Sequence, residues 1–153
     1  MQSGAAEPRR RCRALPICMI ETSTSISEIV SGFYDSFDNR NDRFPDFDLF
    51  ESLFVENPSI GNRTNTEVRI WSPGDFWSPR YELLTGGRLT DFHEWETDFE
   101  TSIFDGIAMR HSSYRKRGLL DGLPYGGVGT KCFQFAQTPD GWRIAHLLWE
   151  DQE

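Results

Sequence analysis

Arg110 is the residue of this sequence best suited to molecular recognition. On a regular strand it shares a face with Tyr114 and, across a hairpin, with Trp95 and Phe99. Its planar donors would there meet a carboxylate, enolate or other oxyanion of a small ligand inside an aromatic wall. Ser112 and Tyr114 add hydroxyls for the same ligand, although a buried Tyr hydroxyl also commonly bonds a helix backbone. The alternative for Arg110 is a pairing with a carboxylate of the first helix, Asp35 or Asp38, because a charge inside a protein needs a partner. His146 falls on one face with Phe133 and, like Tyr114, is a candidate general acid or base, since its pKa is tunable around neutrality. The other reading is a core His held by a hydrogen bond. Glu150 shares that face, but four residues of strand put it ~13 Å away, too far for a direct dyad. Lys131 and Glu150 read as an end-of-strand salt bridge.

These side chains need strands to carry them. Residues 90–104 and 107–117 flank Asp105-Gly106, one of the strongest hairpin signals. Pairing Phe104 with Ile107 sets Glu100 opposite His111, Glu96 opposite Arg115 and Glu94 opposite Arg117, giving a charged outer face. The inner face then carries His93, Trp95, Phe99 and Ile103 against Tyr114, Ser112, Arg110 and Ala108. A bulge in so long a strand would reverse the faces of His93 and Trp95. A Gly-rich loop over 119–127 leads to a strand at 128–137, and the turn 138–141 returns the chain as 142–150. Pairing Gln137 with Trp142 groups Phe133, Phe135, Ile144, His146 and Leu148 on one face and puts Leu147 and Trp149 on the other. Helices can cover one side of so small a sheet, so a second copy of the chain is expected over Leu147 and Trp149, as a homodimer.

The helices come first in the chain. Thr24 or Ser25 caps a helix whose apolar positions are Ile26, Ile29, Val30, Phe33 and Phe37. Pro45 opens a second, with Phe47, Leu49, Phe50, Leu53 and Phe54, and Pro58 closes it. Short strands follow at 59–61 and 67–71. A third helical stretch begins at Ser72 and ends at Gly86-Gly87, with Pro79 expected to cut off or kink its first turn.

The chain has 153 residues and a net charge of −8, the size of one domain with one core. Four arginines in residues 1–18 leave the remainder more acidic still, so nucleic acid is an unsuitable partner. No apolar run spans a bilayer, and no membrane partner is expected. Three cysteines without metal-ligand spacing point to reduced thiols and a cytoplasmic location. The carboxylates Glu94, Glu96, Asp98 and Glu100 read as a solvated face, and His93, His111 and His146 share no face, so neither a metal nor a cofactor is expected. Residues 1–22 read as a disordered basic extension, or as an upstream segment of a chain starting at Met19, and 23–153 as the folded domain.

The helix segment Ile29-Val30-Ser31-Gly32-Phe33-Tyr34, then Leu53-Phe54 before a short strand, then a meander ending Asp140-Gly141-Trp142-Arg143-Ile144, resembles the nuclear transport factor 2-like superfamily over about residues 25–150. Within it the chain is most similar to the polyketide-cyclase-like (SnoaL-like) group. The resemblance implies an α+β fold: a cone-shaped, curved antiparallel sheet closed by about three N-terminal helices (a cystatin-like roll), often dimeric. The ketosteroid isomerase branch would need a base near Asn62, an Asp near Lys131 and a Tyr near Phe33, and none of these residues fits. Two functions therefore stand. One is a module binding a small amphipathic ligand through Arg110, Ser112, Tyr114, Trp95, Phe99, Phe133 and His146. The other is a cofactor-independent lyase, isomerase or hydrolase in which His146 or Tyr114 moves a proton.

Overall fold

The computed structural model describes residues 16–153, so most of the expected extension lies outside the described residues. Helix α1 (Pro16–Asp35) begins inside the stretch expected to be disordered and buries Ile26, Ile29, Val30, Phe33 and Tyr34 along one stripe. A single 3-10 turn at Arg40–Asp42 follows. Asp46 then accepts the Leu49 N–H at 2.9 Å and starts the short α2 (Phe47–Ser52). Leu53 ends it, so Phe54 and Pro58 belong to a strand, β1 (Phe54–Arg63), which pairs with β2 (Val68–Trp71). Ser72 caps α3 (Pro73–Thr85), with Pro73 in the first turn where its missing N–H costs nothing. The helix runs through Pro79 instead of breaking there.

Four long strands complete the chain: β3 (Leu89–Phe104), β4 (Ile107–Leu120), β5 (Leu123–Thr138) and β6 (Gly141–Gln152). The sheet order is β2-β1-β6-β5-β4-β3, antiparallel except where β1 runs parallel to β6. The segment expected as a Gly-rich loop is a second Asp-Gly hairpin. Asp121 and Gly122 both take positive φ, 52° and 81°, which suits a tight turn matching strand twist.

Two extra residues decide which side chains face the helices. From Phe104–Ile107 to Asp98–Ser113 the β3–β4 pairing is the expected one; beyond it Glu96 faces Tyr114, leaving Thr97 unpaired as a bulge. Everything N-terminal to Thr97 changes face until a second irregularity at 91–92. Glu94 and Glu96 turn inward, while Trp95 and His93 turn outward and stack on each other at 4.5 Å. In β6, Phe135 faces Ile144 but Gln134 faces His146, so Ala145 is the extra residue. Leu147, Trp149 and Asp151 therefore point inward, and His146, Leu148 and Glu150 outward. Leu147 is fully buried within one chain, which removes it and Trp149 from the outer surface proposed for dimer contact.

Aromatic residues fill the closed part of the cone. Phe50 lies 4.9 Å from both Phe54 and Trp77, and Phe33 meets Phe37 and Phe133 edge-on at 5.4 Å. Such pairs contribute about 0.5–1.5 kcal/mol each beyond the area they bury. Cys18 is disulfide-bonded, which corrects the expected reduced thiol there; Cys132 is free and exposed. No helix among the described residues is long and apolar enough to cross a membrane.

Candidate functional site

Between α1, α3 and the inner sheet face lies a cavity of about 370 Å³. Phe33, Phe76, Phe92, Tyr125 and Trp149 form apolar walls, and Arg80, Lys116, Lys131, Glu94, Asp151 and Tyr114 contribute the polar groups. The Thr97 bulge supplies Glu94, and the Ala145 bulge supplies Trp149 and Asp151. Without these two residues the cavity would lose both carboxylates.

The polar groups form two linked pairs. Lys131, almost fully buried, places Nζ 2.5 Å from Glu94 Oε1 and 3.5 Å from the centre of the Tyr114 ring. Burial pushes its amine below the ordinary lysine value, an effect that Glu94 only partly offsets. The Tyr114 hydroxyl donates to Asp151 Oδ1, which Lys116 Nζ also approaches at 3.0 Å. Burial and then the Asp151 hydrogen bond drive the Tyr114 pKa far up. For Lys116 burial lowers the pKa, but Tyr125 and Asp151 outweigh it, so the net shift is upward. Asp151 moves the other way. Burial raises it, yet the Tyr114 hydroxyl and Lys116 hold the carboxyl below its usual range.

Arg80 stands apart from these pairs. It follows Phe76 by one helical turn, and its guanidinium lies 3.7 Å over the Phe76 ring, with the Trp149 ring at 5.4 Å. Its Nη1 donates to Phe76 O at 2.7 Å, and it belongs to none of the ion pairs among the described residues. Burial lowers its pKa to about 10, so it stays charged at neutral pH.

No protein-family model matches the chain, and no curated protein does. Solved structures do. The protein Kfla4162 from Kribbella flavida superposes with a TM-score of 0.72 at 19% identity, covering 88% of this chain and 93% of the other. An NTF2-like protein with a cystatin-like fold from Novosphingobium aromaticivorans gives 0.70 at 12%, covering 90% and 86%. A nuclear transport factor 2 (NTF2-like) superfamily protein from Salmonella enterica gives 0.65 at 17%, covering 86% and 94%. The chain has the nuclear transport factor 2-like fold.

In this fold the three positions where ketosteroid isomerase chemistry was sought, Phe33, Asn62 and Lys131, do line one cavity. They carry the wrong groups for that chemistry: an apolar ring, an amide and an amine stand where a Tyr, a carboxylate base and an Asp are needed, and the carboxylates of the cavity are Glu94 and Asp151. Of the expected site residues, Tyr114 lines the cavity, and Phe133 lies beneath it, stacked on Phe135 at 5.8 Å. Arg110 and Ser112 point inward but form a closed knot under α1. Arg110, 1% exposed, pairs with Glu96 at 3.2 Å, donates to Ser27 Oγ at 3.2 Å and lies 3.6 Å over Phe99. Ser112 donates to Glu96 Oε2 at 2.5 Å and meets the Tyr34 hydroxyl at 3.0 Å. The partner of Arg110 is thus a strand carboxylate, neither Asp35 nor Asp38; Asp38 binds Arg40 and Arg43.

His146 and Trp95 lie on the outer face. His146 Nδ1 bonds Ser59 Oγ across the β1–β6 pair. Glu150 pairs with Arg63 at 2.7 Å instead of with Lys131. Among the described residues, no group of three or more His, Cys, Asp or Glu could hold a metal ion. Arg80, Glu94, Lys116 and Asp151 were not anticipated. One signal in the sequence pointed to part of this set. Lys116 and Lys131 are the only lysines of the chain, against fourteen arginines.

Proposed function

We propose that the domain binds a small amphipathic molecule in this cavity, its flat apolar part against Phe76 and Trp149 and its anionic end at Arg80. Arg80 is the observation that carries this reading. Among the described residues one hydrogen bond uses its five N–H donors, it faces an open aromatic space, and it is in no ion pair, Glu94 and Asp151 acting on it only from beyond contact distance. Arg80 thus takes the role first given to Arg110. The volume suits a one- or two-ring molecule, at the small end of ligand sites.

Calorimetric titration with benzoate, cinnamate and naphthoate tests this. At least one is expected to bind, and Arg80→Met should weaken it by about tenfold or more, because a charge-assisted hydrogen bond is worth ~1.5–3 kcal/mol. Equal affinity in the variant would remove Arg80 from the site. A Trp95→Ala control, changed on the outer face, should bind like the parent chain.

A second reading is a cofactor-independent lyase, isomerase or hydrolase. It is favoured by the Tyr114–Asp151 and Lys131–Glu94 pairs, since adjacent titratable groups on a cavity wall are what proton transfer requires. Of the two expected catalytic candidates, Tyr114 is the one such chemistry would use, with Asp151 as its hydrogen-bond partner, and His146 lies on the outer face.

A further inference from the structure

A chain that uses arginine for fourteen of its sixteen basic positions keeps lysine for two, and both line the cavity. Arginine would serve equally well as a fixed positive charge, and better as a two-pronged anion ligand. What lysine offers and arginine does not is an amine that can lose its proton and act as a nucleophile. Lys131 fits that use by its position. It sits on a central strand, its amine lies against the Tyr114 ring, and its hydrogen-bond acceptor is Glu94 Oε1. Burial favours the neutral amine, and the second positive charge of Lys116 nearby acts in the same direction.

We infer that Lys131 forms an imine with a carbonyl compound bound in the cavity, a planar aldehyde or α-keto acid with an anionic group for Arg80. The inference rests on the cavity being the ligand site. Glu94 takes one proton from the Lys131 ammonium, and the freed amine attacks the carbonyl carbon. A C–N bond forms as the carbonyl π electrons move to oxygen. That oxygen then collects two protons, both originally on the amine and one returned through Glu94, and leaves as water when the C–O bond breaks. The iminium keeps the third proton and the positive charge, so ammonium plus carbonyl gives iminium plus water with no oxidant or reductant. Lys116 is the second cation of the site and is not the nucleophile, because Asp151 holds it at 3.0 Å and its amine stays protonated.

The test uses 4-carboxybenzaldehyde with sodium cyanoborohydride, which reduces an iminium to a stable amine, followed by intact-mass and peptide mass spectrometry of the full chain. The expected result is one adduct per chain, mapped to Lys131, lost in Lys131→Arg and kept in Lys116→Arg. Absence of an adduct overturns the inference. So does labelling spread over Lys116 and the N-terminal amine with Lys131 unmodified. Peptide mapping of the parent chain decides the matter even if Lys131→Arg fails to fold. Terephthalate, which lacks the aldehyde, separates the two readings: if it binds by calorimetry while the aldehyde gives no adduct, the imine is wrong and the binding site stands.

Discussion

Glu96→Ala is expected to destabilise the domain by about 3–5 kcal/mol, because it leaves Arg110 buried without its counter-charge. Arg110 is 1% exposed, its Nε already lacks a hydrogen-bond partner, and Ser27 Oγ is a neutral acceptor. Nothing remaining around it can compensate a guanidinium removed from water. The double variant Glu96→Ala/Arg110→Met should recover most of the loss, since removing both charges restores an apolar contact with Phe99. Urea denaturation of the two single variants and the double variant measures this directly. A Glu96→Ala cost below about 1 kcal/mol, the size of an exposed pair, would mean that Glu96 faces solvent and that β3 has no bulge at Thr97.

Gly129→Ala should cost about 1–3 kcal/mol, the range for forcing an extra carbon into a packed site. Gly129 faces Tyr114 on one side and Asp151 on the other, and Tyr114 lies across its bare backbone. A Cβ there would meet the Tyr114 hydroxyl and, at 2.5 Å, the Glu150 backbone carbonyl. The carbonyl cannot yield without breaking the β5–β6 ladder, so the Tyr114 ring must move and release Asp151. The variant is therefore expected to lose ligand binding as well as stability. Full stability with unchanged binding would show that Tyr114 does not cross Gly129.

Much of the fold was legible because its signals are local. Asp105-Gly106 fixed the register of the β3–β4 hairpin over seven residue pairs, and Ser72 and Pro73 marked a helix start through a side-chain cap and a fixed φ, whereas the second helix, expected to open at Pro45, is capped one residue later by Asp46. The Asp121-Gly122 turn was equally legible but was obscured by Gly126 and Gly127, which sit inside β5, where a Cβ at Gly126 would meet the Lys116 backbone carbonyl at 2.7 Å. The site was much less legible. A one-residue bulge reverses every side chain beyond it, and neither Thr97 nor Ala145 is the kind of residue that announces one. Their positions follow from the curvature needed to close the cone, which is a property of the whole sheet. Hence Arg110 is internal as expected, but the ligand role first expected of it gives way to an ion pair, and the partner is Glu96 on the neighbouring strand where the alternative reading named a helix carboxylate. His146 and Trp95, both beyond a bulge, were placed on the wrong face.

The central claim is that these two bulges bring Glu94 and Asp151 inward to hold Lys131 and Lys116 on a cavity wall. Because the chain has two lysines, an NMR titration of their ammonium signals tests it with little ambiguity, each resonance being assigned by its Lys→Arg variant. Lys131 is predicted to titrate below the ordinary value of 10.5 and Lys116 above it. Two lysines both titrating at 10.5, as in exposed side chains, would contradict the account.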